Sequence, residues 1–136
     1  MVRASVKLLI CLLILGDCTV AQAECFKNIG EIKANNVKRR WQETTENDGK
    51  PMIISIADGA NGLVFSAKKA GALWLTGNVS ACRTGSGVEI ILKNTQATSN
   101  VPMFTRMGLP SVLSAPIVHN QIKLGGGGWS GTFAGQ

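Results

Sequence analysis

The chain has 136 residues, a formal net charge of +6 and 45% hydrophobic residues. A chain of this size builds one core and leaves little room for a second. The positive excess favours acidic partners (anionic lipid, a cell-wall polymer or an acidic protein face), and because the basic residues are scattered no nucleic-acid partner is expected.

Residues 1–23 read as an export signal. Arg3 and Lys7 give the positive start, an apolar run spans Leu8 to Leu15, and Ala21-Gln22-Ala23 has the small-x-small form of a cleavage site. The run is too short for a membrane anchor, which needs roughly 20 residues. Cleavage before Glu24 leaves a single secreted or periplasmic domain, residues 24–136, with twelve Lys and Arg against seven Asp and Glu. No second apolar stretch approaches spanning length, so no transmembrane anchor is expected in the mature chain. Cys11 and Cys18 leave with the signal, and Asp17 directly before Cys18 argues against lipidation. Cys25 and Cys82 remain, an even pair in an oxidising compartment, and are expected to form a disulfide.

From Glu24 to Glu46, Phe26, Ile29, Ile32, Val37 and Trp41 fall near helical spacing, but Gly30 and Asn35-Asn36 weaken a helix. A short helix or irregular arm is expected, leading into a strand over 37–44. Asn47 to Pro51 makes a turn. Strands follow over 52–57 and 63–67 with a turn at 58–62, and then over 72–82. In the last of these, Leu73, Leu75, Gly77, Val79 and Ala81 share one face, while Trp74 and Cys82 share the other. The disulfide is therefore expected to draw the N-terminal arm over Trp74. After a glycine turn at 83–87, Val88, Ile90 and Leu92 alternate with Glu89 and Lys93. Residues 101–116 are apolar but carry Pro102, Pro110 and Pro116, which forbid a long regular element. Strands at 117–124 and 129–134 flank Gly125–Gly128. Six to eight short strands with glycine turns predict an all-β fold, a small antiparallel β-barrel or a β-sandwich. The size and strand count resemble those of lipocalin-like barrels in architecture only, since no Gly-x-Trp strand stands near the start.

Motifs for chemistry fail on inspection. Gly126, Gly128 and Gly131 match the letter of G-x-G-x-x-G, yet only five residues follow, too few for the helix a dinucleotide fold needs. His119 is the only histidine and falls on a polar face without a nameable partner. With both mature cysteines bridged, one histidine is too little for a zinc site, and the carboxylates lack calcium-loop spacing. Glu89 and Asp58 lie nearest the strands, but Asp58 opens a turn that favours Asp in any case. Lys38-Arg39-Arg40-Trp41 reads as solvated charge beside a core tryptophan. Asn78-Val79-Ser80 lies inside a strand and is discounted as a glycosylation site. No catalytic residue, metal or cofactor is expected.

The adaptable apolar segment 101–116 is the best functional candidate. Met103, Phe104, Met107, Leu109 and Trp129 are the expected ligand-binding residues, capping a barrel that holds a small apolar or lipidic molecule. The second reading is an envelope protein-interaction module of the inhibitor or immunity type. The third is a small hydrolase using His119 with Glu89 or Asp58.

Overall fold

A computed structural model describes residues 24–44, 49–126 and 128–136. The expected export signal lies outside the described residues, as do Asn47 and Asp48 of the expected turn at 47–51. In chain order the elements are β1 (Glu24–Cys25), α1 (Ile29–Ala34), β2 (Arg40–Glu43), β3 (Met52–Gly59), β4 (Gly62–Lys69), β5 (Ala72–Thr84), β6 (Gly87–Ala97), α2 (Met103–Gly108), β7 (Leu113–Pro116), β8 (Gln121–Gly126) and β9 (Trp129–Gly135).

Each of β2 to β9 is antiparallel to its ladder partners, and the first of these strands pairs with the last. The resulting order, β7-β6-β5-β4-β3-β2-β9-β8, rolls the sheet into a nearly closed barrel and decides against a sandwich. The seam lies between β7 and β8, which lie in contact without a ladder; the isolated bridge of Val118 with Gln121 falls in the turn that joins them. Closure leaves few unpaired strand edges, the usual solution for a meander of this length.

Period-two alternation supplies the core. Trp41, Ile54, Ile56, Phe65, Ala67, Leu75, Val79, Ile90, Leu92, Leu113, Ile122, Leu124 and Phe133 all turn inward and are buried. Eight strands enclose an interior just wide enough for side chains to fill, and here they fill it.

The two ends differ. At one, called the floor, α1 plugs the barrel with Ile32, which is fully buried. Its N-terminus is held twice over. Asn28 Oδ1 accepts from the Glu31 amide at 2.9 Å while Glu31 Oε1 accepts from the Lys27 amide at 2.6 Å, a near relative of the capping box. Asp58 Oδ1, from the β3–β4 hairpin, accepts from the Ile29 amide at 2.8 Å. At the other end, called the lid, the connection between β6 and β7 carries α2 across the mouth.

Three expectations need correction. The strand expected over 117–124 begins only at Gln121, as β8, because His119 and Asn120 adopt φ of 53° and 60° and reverse the chain between β7 and β8. Asn120 favours such a turn, but the apolar alternation of Val118, Ile122 and Leu124 masked it. Secondly, Trp74 does not share the outer face with Cys82. Between the pairs Ala67–Leu75 and Lys68–Leu73, β5 holds one residue more than β4. That bulge swings Trp74 against the core and moves Leu73 out of the row. Thirdly, the arm does not cover Trp74. Cys25 pairs directly with Cys82, and the disulfide (S–S 2.04 Å) lies at the floor, whereas Trp74 stands at the lid. Eight residues of strand separate them, roughly 25 Å.

A second irregularity bends β5 against β6. Between Thr76–Gln96 and Asn78–Lys93 the register shifts, with Asn94 at φ 52°. Gly77 is required there, because a Cβ would lie 2.6 Å from the Lys93 carbonyl oxygen and 2.7 Å from the Phe65 ring.

Candidate functional site

The lid is built from the chain's least regular segment. Thr98 Oγ1 and Asn100 Nδ2 both donate to the Leu73 carbonyl, at 2.6 and 2.8 Å, and the Thr98 amide donates to the Trp74 carbonyl at 2.9 Å. These bonds moor the start of the segment to the bulge in β5. Pro102 then begins a six-residue helix, α2, which ends at Leu109 in extended backbone before Pro110.

Spacing of three and four residues divides the helix. Val101, Thr105 and Leu109 face the barrel, where they meet Met52, Trp74 and Trp129 around an apolar void of about 10 Å³. A space that small holds at most one water. The opposite face carries Met103, Phe104 and Met107, exposed by 65%, 93% and 79% respectively. The five expected ligand-binding residues are thus divided: Leu109 and Trp129 lie beneath the lid, Met103, Phe104 and Met107 above it.

Charge around the lid is one-sided. Lys68 and Lys69 end β4, Lys50 precedes β3, and Arg106 lies in the last turn of α2. The Lys69 ammonium stands 5.6 Å from the centre of the Trp74 ring, a cation–π contact. Arg40, Lys50 and Lys68 also line a shallow depression of about 540 Å³ on the adjoining outer wall. Among the described residues the carboxylates that reach the surface (exposed Glu24, Glu31 and Asp58, half-buried Glu89) belong to the floor half. Glu46 and Asp48 fall in the β2–β3 connection, outside the described residues.

The one buried carboxylate among the described residues is Glu43, which sequence reading passed over. Alternation could have found it: Trp41 turns inward on β2, so Glu43 does as well. Its Oε1 accepts from the buried Met52 amide at 3.0 Å, where β2 and β3 diverge and a backbone acceptor is lost. The role is structural. Glu43→Gln keeps an oxygen acceptor and is expected to shift stability by under about 1 kcal/mol; Glu43→Ala orphans the amide and is expected to cost about 1–3 kcal/mol. Urea midpoints of the two variants check the difference.

The three residues of the hydrolase reading all lie toward the floor. Asp58 is occupied by the Ile29 amide, Glu89 stands on the outer wall of β6, and His119 is exposed in the β7–β8 turn. The depression that His119 lines is shared with Pro116, Val118, Gln121 and Lys123, none of them a carboxylate. Among the described residues no group of three or more His, Cys, Asp or Glu is placed to hold a metal ion.

Comparison with protein families, characterised proteins and solved structures returned no match, so function rests on the chain's own chemistry.

Proposed function

We propose that this chain is an exported, non-catalytic binding protein that engages its partner from outside the barrel, at the lid. One observation carries the reading. A helix over a closed core ordinarily turns polar residues to water. Here α2 presents Met103, Phe104 and Met107 to solvent although its inner side, half-buried at Thr105, already rests on the barrel mouth. Contiguous exposed apolar side chains of this kind mark interaction sites. Export is supported by the charged, apolar and small-residue order of residues 1–23 and by a cysteine pair suited to an oxidising environment.

The reading with a small apolar or lipidic ligand inside the barrel stands second. Trp74, Leu109 and Trp129 favour it as an apolar lining, but a guest would have to lift α2 to make room. Native mass spectrometry of protein purified from its source separates the two. The expected result is the mass of the bare, disulfide-closed chain; a stoichiometric apolar adduct would return the binding site to the interior.

A further inference from the structure

We infer that the lid docks on an anionic membrane surface, with Phe104, Met103 and Met107 entering the acyl boundary and the surrounding cations meeting lipid phosphates. The inference rests on the surface-binding reading above and names its partner. Its first support is shape. Phe104 is 93% exposed and stands on the convex outer side of a helix of only six residues, with exposed Met103 and Met107 beside it. Val112, just beyond the helix, adds a fourth apolar side chain, 52% exposed. A convex apolar tip has no groove to offer a partner's side chains, and a lipid layer, being deformable, accepts it without one. A short element of this kind binds by buried apolar area together with attraction to anionic headgroups.

Charge complementarity is the second support. Arg106 lies on α2 itself, and the segment leading into α2 is tied to Leu73 and Trp74, next to Lys68 and Lys69 on the paired strand. The Arg40, Lys50 and Lys68 depression opens on the wall alongside. Among the described residues the lid region holds four cations (Lys50, Lys68, Lys69 and Arg106) and no exposed carboxylate, and the sequence of the β2–β3 connection adds only Glu46 and Asp48. Cations near an anionic leaflet gain from its surface potential within about a Debye length. An acidic protein face satisfies the charges but leaves the protruding phenylalanine to find a pocket. A bilayer satisfies both.

Sedimentation of the disulfide-closed protein with vesicles tests the idea. Binding is expected to vesicles containing phosphatidylglycerol, to be weaker on pure phosphatidylcholine, and to fall as salt rises. Phe104→Asp is expected to lower partitioning by about tenfold or more, and the Lys50→Glu/Lys68→Glu pair to lower it on anionic vesicles only. Both variants should keep the wild-type circular dichroism and melting temperature, since none of these side chains is in the core. Failure of the wild type to bind anionic vesicles, or equal binding by Phe104→Asp, overturns the inference. If vesicles fail while a purified acidic protein is held in a Phe104-dependent way, the membrane is wrong and the surface-binding reading survives. A ligand found inside the barrel would defeat that reading itself.

Discussion

Replacing both Cys25 and Cys82 by serine is expected to lower stability by about 4 kcal/mol, from the loop-closure entropy returned to the unfolded chain. The bridge spans 57 positions, so its loss frees nearly half of the chain. Against a total of about 5–15 kcal/mol, that is a large share. For a domain of this size the melting temperature should fall by roughly 15–20 °C. The loss should also be uneven. Beyond the disulfide, β1 is held by two paired residues, the hydrogen bond from the Phe26 amide to the Ala81 carbonyl, and the contacts of Arg83 with Glu24 and the Phe26 ring. The plug α1 has anchors of its own, in Asp58, in Asn35, which accepts from Arg83, and in buried Ile32 and Val37. Hydrogen exchange of the double variant should therefore show the amides of 24–27 opening first while Ile32 stays protected. Urea denaturation gives the magnitude. A change below about 1 kcal/mol would mean that the arm restrains the unfolded chain far less than the loop length implies.

The strand pattern was legible wherever one face is buried and the ladder is regular. Val88, Ile90 and Leu92 alternate in the sequence and line the barrel in the structure, apart from the partial exposure of Val88. The same holds for Gly131 and Phe133, and the cysteine pair followed from compartment and parity alone. Legibility failed where one residue breaks the period. The bulge at Trp74 depends on how β4 meets β5, a relation between strands that neither strand encodes alone. The turn at His119 and Asn120 depends on positive φ at two residues that tolerate it, a signal outweighed by the alternation of Val118, Ile122 and Leu124 around it. At the lid, apolar composition correctly marked 101–116 as unusual. It did not say which side chains face in. Only the helix in 103–108, set over the mouth, separates Leu109 from Met103, Phe104 and Met107. Barrel and sandwich were likewise inseparable until β2 was seen to pair with β9.

Phe133→Ala is expected to cost about 3–5 kcal/mol, the range for emptying a large buried aromatic site. Its side chain is fully buried, and on β9 it lies directly across from Glu43 of β2 and Ile122 of β8, both buried. β9 is the strand that ties the last hairpin to the first barrel strand, so a hole here opens at the closure of the barrel. Relaxation into the hole is limited. Gly131 lies so close that a Cβ there would sit 3.1 Å from the Phe133 ring, and the Trp129 ring is tilted alongside at 6.3 Å. Phe133→Leu keeps most of the volume and should cost about 1–2 kcal/mol. Phe104→Ala, by contrast, removes a ring that is 93% exposed and should change stability by no more than about 0.5 kcal/mol. Urea midpoints and near-ultraviolet dichroism of the three variants test the contrast. The two phenylalanines thereby separate what holds the barrel from what the barrel presents: Phe133→Ala should weaken the fold at constant surface chemistry, and Phe104→Ala should alter docking at constant stability. If Phe104→Ala destabilised as much as Phe133→Ala, the outer face of α2 would be part of the core, and the surface-binding reading would lose its foundation.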